Sequence, residues 1–261
     1  MADAREVRVF ITGATSGLGA ALAQRYASRG ATLGIFARRG HELARLAKRL
    51  SPSTVATYAG DVRDAAALAH AASDFIERFG VPDVVIANAG VSRGTLTHLA
   101  EDLPAFRAVF DTNVMGLVHT FQPFLGAMLD TKRGTLVGIA SVAGFRGIPG
   151  SGAYSGSKAA AIAYLESLRV ELRASGVAVV TICPGYIATP MTEKNPYRMP
   201  FILAPDEAAR LIVRAVARRK RFYVLPWPMA IAGRVLRVMP RWLFDRLFAN
   251  AKRKPRQPDV A

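Results

Sequence analysis

A short, mainly apolar run, Val7–Thr12, passes with no polar spacer into Gly13-Ala14-Thr15-Ser16-Gly17-Leu18-Gly19, and this junction restricts the chain to few folds. The run is rich in β-branched and aromatic residues and reads as a buried strand. Three glycines directly behind it permit a tight turn that opens a helix through residues 20–28. The alternation then repeats. Strands are expected at Ala31–Phe36, Val55–Ala59, Val84–Ala87, Thr135–Ala140, Val177–Cys183 and Phe222–Leu225. Helices are expected at Glu42–Leu50, Ala65–Phe79, one long stretch Leu103–Leu129, from near Gly152 and from Asp206. Seven strands and six intervening helices over short connections predict a three-layer α/β domain, a parallel sheet between two helical layers.

With 261 residues, 51% of them hydrophobic, the chain can bury one large core in a single domain. That domain is expected to occupy residues 1–225, followed by an amphipathic extension, 226–251, and a basic, flexible tail, 252–261. A lone cysteine, Cys183, excludes an intrachain disulfide framework and gives no metal cluster; it reads as a buried thiol. The opening MADAREVRVF mixes charge signs and lacks a signal-peptide pattern. No run approaches the roughly 18 apolar residues of a membrane span, so a cytoplasmic location is expected. Net charge is +16, and thirteen of the basic residues fall in 214–256 against one acid, Asp245. Such a one-ended field suits an anionic lipid surface or an acidic partner. Nucleic acid is not expected, because no zinc finger, aromatic-basic platform or recognition helix accompanies the charge.

Gly13, Gly17 and Gly19 let backbone N–H groups and the positive end of a helix approach a pyrophosphate. Their spacing is GxxxGxG, and Thr15, Ser16 and Leu18 complete the loop. Asp61-Val62 and Asn88-Ala89-Gly90 follow the third and fourth strands, where the adenine and ribose half of a nucleotide would cross the sheet. Asp61 can orient adenine or cap a helix; Asn88 can meet the ligand or close a buried turn. After the second strand comes Ala37-Arg38-Arg39. An acid there would suit the ribose hydroxyls of NAD(H); Ala37 with Arg38 instead suits the 2′-phosphate of NADP(H). The alternative is that Arg38 and Arg39 form a solvated patch and NAD(H) is used.

Ser141, Tyr154 and Lys158 have the spacing Ser-x12-Tyr-x3-Lys. Tyr154 and Lys158 lie one helical turn apart on one face. A phenol near its ordinary pKa of about 10 is a poor base, and an adjacent ammonium favours phenolate. Tyr154 would donate a proton in carbonyl reduction and accept one in alcohol oxidation, with Ser141 polarising the carbonyl. Asn113, inside the long helix, would hold a water that links Lys158 to bulk solvent or satisfy backbone where that helix bends.

Together, Thr12-Gly13-x3-Gly17-x-Gly19, Asn88-Ala89-Gly90, Asn113, Ser141, Tyr154-x3-Lys158 and Pro184-Gly185 resemble the short-chain dehydrogenase/reductase family in its compact form, over residues 7–225. The resemblance implies a Rossmann-like sheet in the order 3-2-1-4-5-6-7 and a proton relay of Asn113, Ser141, Tyr154 and Lys158. It also implies that Ile187 and Thr189, after Pro184-Gly185, meet nicotinamide, that the 4-pro-S hydride transfers, and that the chain forms a homodimer or homotetramer. A departure is Ser16, where many NADP-using relatives carry a basic residue.

The resemblance places Ser92, Phe145, Tyr186 and Met191 near substrate. Arg146 would bind a carboxylate or lie on the surface. In the extension, Ile231, Val235 and Val238 share one helical face, and Leu243, Phe244, Leu247 and Phe248 make a second. These faces would cover the cleft, pack between subunits or lie on anionic lipid. The expected function is NADPH-dependent reduction of a ketone or aldehyde, the apolar residues suggesting a lipophilic one. The alternatives are NAD-dependent alcohol oxidation, an epimerase or dehydratase, and a noncatalytic nucleotide-binding scaffold whose tail binds membrane or protein.

Overall fold

The computed structural model describes residues 6–193 and 195–256. Its seven strands are β1 (Arg8–Thr12), β2 (Thr32–Ala37), β3 (Val55–Ala59), β4 (Val84–Ala87), β5 (Gly134–Ile139), β6 (Val177–Pro184) and β7 (Phe222–Leu225). They form one parallel sheet in the order β3-β2-β1-β4-β5-β6-β7. The order reverses between β1, which pairs with β2 on one side, and β4 on the other. The crevice outside the carboxyl ends of the strands at such a reversal is where open α/β sheets bind ligands.

Helices α1 (Gly17–Ala27), α2 (Gly40–Arg49) and α8 (Pro205–Ala217) close one face of the sheet over Val9, Ile11, Leu33, Ile35, Ile86 and Val180. Helices α3 (Ala65–Phe79), α5 (Gly116–Asp130) and α6 (Gly152–Glu171) close the other, where Phe10, Phe75, Phe121 and Phe124 are buried. Central strands burying both faces carry continuous apolar runs, which is why they stand out in the sequence.

The expected long helix Leu103–Leu129 is present, with a π-turn inside it. α4 (Leu103–Phe110) reaches a π-turn, Asp111–Met115, before α5 begins. Gly116, at the start of α5, sits where an added Cβ would lie 2.7 Å from Val62 Cγ2, so the second helix packs tightly against the loop after β3. A short α7 (Pro190–Glu193) follows β6, and α9 (Trp227–Val238) and α10 (Arg241–Phe248) follow β7.

The expected tail does not hang free where it is described. Gly94 N–H donates to Pro255 O at 3.2 Å, and the Arg256 guanidinium grips Asp102, with contacts of 3.0 and 3.1 Å. Residues 257–261 of that tail lie outside the described residues, as do residues 1–5.

Candidate active site

Gly13 and Gly17 both take positive φ, 68° and 53°, a region costly for residues with a Cβ. They swing the chain from β1 into α1, whose first turn carries no acid to oppose an anion at its positive end. Asn88 braces the turn: its Nδ2 donates to the carbonyls of Thr12 and Gly13 at 3.0 and 3.1 Å. Thr12 Oγ1 accepts in return from the N–H of Asn88 at 3.2 Å. The side chain therefore does what the buried-turn alternative described, while Asn88 also lines the cleft.

A cavity of about 330 Å³ crosses the carboxyl ends of the strands. Toward β2 and β3 it is lined by Gly13, Thr15, Ser16, Gly17, Leu18, Gly19, Arg38, Arg39, Asp61 and Val62, then by Asn88, Ala89 and Gly90. Toward β5 and β6 its walls are Ser141, Tyr154, Lys158, Pro184, Gly185, Ile187, Thr189 and Met191. The glycine loop and the Ser-Tyr-Lys group thus share one cleft. Val91, Thr112 and Thr192 also line it; Val91 and Thr112 adjoin residues picked out by sequence, and that adjacency was their only signal.

Arg39 donates to Thr15 Oγ1 at 3.1 Å, whereas Arg38 is exposed and makes no ion pair or hydrogen bond among the described residues. Asp61 does not cap α3; Asp64 does, accepting from Ala67 N–H at 3.1 Å. Asp61 is instead clamped by Arg63, through its N–H at 2.9 Å and its guanidinium at 2.8 and 3.0 Å. Partial burial works against the carboxylate, but these bonds prevail and lower its pKa.

Lys158 is buried, and its Nζ donates to Ile139 O at 2.7 Å. Burial pushes its pKa down to about 8, with Cys183 a smaller opposing influence. Ser141, at the end of β5, caps the following turn by accepting from Ala143 N–H at 3.1 Å, and it also hydrogen-bonds Tyr154. Lys158 Nζ lies 5.9 Å from the Tyr154 ring centroid, and the balance at the phenol is set by burial, which raises its pKa, against the Ser141 bond, which lowers it. A protonated phenol is the form that gives a proton to a carbonyl oxygen.

The Asn113 amide is engaged by the protein, the backbone of Val91 included. Both Nδ2 protons go to protein acceptors, Val91 O and Ser157 Oγ, each at 3.0 Å, while Oδ1 accepts from Val91 N–H at 2.8 Å. Its side chain ties the loop after β4 to α6. Ser157 was not foreseen, because a helical serine next to Lys158 carries no sequence pattern of its own.

Among the expected substrate residues, only Met191 lines this cleft. Ser92 Oγ accepts from Lys254 Nζ at 2.9 Å. Tyr186 packs with Tyr197, ring centroids 6.4 Å apart. Phe145 faces a second cavity, stacked on Phe222 at 6.0 Å and pressed against Gly233. Arg146 donates to Met239 O at 3.1 Å and covers the Phe244 ring, holding the extension to the domain.

A family model described as short chain dehydrogenase matches residues 7–199. The chain belongs to the short-chain dehydrogenase family. It is 38% identical over 247 residues to an uncharacterized oxidoreductase of Myxococcus xanthus, covering 94% of this chain and 97% of that protein. Dehydrogenase/reductase SDR family member 7B of Bos taurus is 33% identical, over 97% of this chain and 83% of its own length. Among solved structures, a short-chain dehydrogenase/reductase of Burkholderia phymatum in complex with NAD superposes with a TM-score of 0.81 at 26% identity, over all of both chains. An alcohol dehydrogenase of Thermococcus sibiricus complexed with 5-hydroxy-NADP gives 0.76 at 28% identity, covering 85% of this chain and 96% of its own.

In this short-chain dehydrogenase, the depressed pKa of Lys158 has a measurable consequence. The unfolded chain holds the lysine proton to about pH 10, the folded chain only to about 8, so the unfolded state binds more protons between these values. Stability tied to this group must rise with pH across that window. Thermal melts of the natural chain and Lys158→Met should show the variant's relative stability greatest below pH 8 and declining toward pH 10. A pH-independent difference would mean that the lysine is not buried as a charge.

Proposed function

We propose that the protein is an NADP(H)-dependent oxidoreductase that reduces a ketone or aldehyde to an alcohol. The observation that carries this reading is the sharing of one cleft by Tyr154, Ser141 and Lys158 with the glycine turn. The residues suit a dinucleotide. Gly19 leaves no room for a Cβ beside Gly13 O, so the loop is as close to its neighbours as backbone permits, and α1 offers free N–H groups. Arg38 would meet the 2′-phosphate, Lys158 the nicotinamide ribose, and Thr189 and Ile187 the nicotinamide end. When bound, NADPH supplies a hydride to the carbonyl carbon. Tyr154 gives its hydroxyl proton to the carbonyl oxygen, which Ser141 orients, and the product is the alcohol. The NADP-complexed and NAD-complexed relatives support nucleotide use, and Arg38 supports the phosphorylated form.

Titration with NADPH and NADH, followed by a screen of aliphatic, aromatic and lipid-like carbonyls, tests the reading. Arg38→Glu should weaken NADPH binding by about 10- to 100-fold, the worth of a charge-assisted hydrogen bond and its replacement by repulsion. NADH binding should change little. An Arg38→Glu protein that holds NADPH as well as before would refute the 2′-phosphate assignment.

A further inference from the structure

The face of α9 that the sequence marks as apolar is turned away from the domain. Inward, Met229 packs against Gly185, and Gly233 is pressed on Phe145. Outward, Trp227, Ile231, Val235 and Val238 recur at helical spacing and are 74, 53, 52 and 80% exposed. Four large apolar side chains left in water on one helical stripe mark an interaction surface. Arg234 and Arg237 flank the stripe, exposed and without a carboxylate partner among the described residues. Arg241 and Arg246 on α10 are likewise exposed, and Arg218-Arg219-Lys220-Arg221 precede β7. Between α9 and β7 opens a second cavity, about 390 Å³, where Phe145, Phe222 and Trp227 meet Arg234 and Arg237.

We propose that this face docks on an anionic lipid bilayer, with the α9 stripe in the interfacial layer and the arginines on lipid phosphates. Charge complementarity selects this occupant. A second copy brought onto the same face by a two-fold axis would set arginines against arginines, and Asp245 is the only acid in residues 226–256 to relieve them. Lipid headgroups carry the sign the face lacks. An apolar stripe bordered by arginines is the pattern of a helix that lies in the interface plane. No described helix is long and apolar enough to cross a membrane, so the contact is peripheral. The inference does not depend on the oxidoreductase reading.

Flotation of the full chain with phosphatidylcholine vesicles, with and without phosphatidylglycerol, tests it directly. Both tryptophans of the chain, Trp227 and Trp242, lie in the extension and are exposed, so their emission should shift to the blue on anionic vesicles. Trp227→Ser/Val238→Ser and Arg234→Glu/Arg237→Glu should each lower vesicle partitioning about tenfold or more. Lys48→Glu/Arg49→Glu, on α2 at the opposite edge of the sheet, should leave partitioning within about twofold. Melting curves establish that each variant is folded. The proposal fails if the natural chain does not float with anionic vesicles, or if the α2 variant loses as much binding as the α9 variants. It also fails if the Trp227/Val238 variant changes only the oligomeric state, which would make the face a contact between copies.

Discussion

Tyr154→Phe is expected to lower kcat for carbonyl reduction by about a thousandfold, within the range that a positioned general acid contributes. The substitution removes one oxygen and keeps the ring, so the wall beside Lys158 stays in place. NADPH affinity should change by less than about threefold, because the substitution leaves the glycine turn and Arg38 untouched. This split, chemistry lost and nucleotide binding kept, separates an acid from a packing residue. Single-turnover measurements at saturating NADPH would read it. Normal turnover in Tyr154→Phe would eliminate Tyr154 as the proton donor and leave the proposed mechanism without an acid.

Gly19→Ala should have the second large effect, this time on binding. A Cβ at Gly19 would lie 2.2 Å from Gly13 O and 2.6 Å from Asn88 Nδ2. Neither atom can step aside freely: Gly13 is fixed by its N–H bond to Phe36 O at 2.8 Å, and Asn88 already holds two carbonyls. Relief has to come from moving α1 off the strand ends, which displaces the N–H groups aimed at the cleft. NADPH affinity should fall at least tenfold, and overpacking should destabilise the fold by about 1–3 kcal/mol. Gly126→Ala is the internal comparison. Gly126 sits inside α5 with nothing within 4 Å of an added Cβ, so that change should be neutral or stabilising by up to about 1 kcal/mol. Equal NADPH affinities in the two variants would show that the close approach at Gly19 has no part in binding.

Much of this was readable from local pattern. The strand positions follow from apolar runs that the parallel sheet buries on both faces, and the structure alters their ends by at most one residue. The sheet order accords with the family resemblance. Tyr154 and Lys158 share a helix, so a four-residue spacing brings them to one face without help from the rest of the fold. The π-turn inside the Leu103–Leu129 helix was legible only as a bend near Asn113: the run Asp111-Thr112-Asn113-Val114 does not encode a pitch, and the turn places Asn113 so that its amide binds Val91, 22 residues upstream.

Side-chain direction outside the repeating elements was equally hidden. Phe145 and Arg146 follow Ser141 closely, yet they face the extension, because α9 and α10 supply Gly233 and Phe244 as their partners. The basic tail reads as flexible, yet Arg256 is bound to Asp102, which is 3% exposed as a side chain. The apolar face of α9 reads as covering the cleft, packing between subunits or lying on lipid, and it points away from the domain. Sequence alone determined the layered sheet, the glycine turn and the Tyr-Lys face, because each depends on neighbours a few residues away or on burial repeated along a strand. Only the tertiary structure decided which side chains enter the cleft, what holds the C-terminal segment and which face of α9 stays in water. Those outcomes depend on contacts between residues far apart in the chain, whose partners no local spacing encodes.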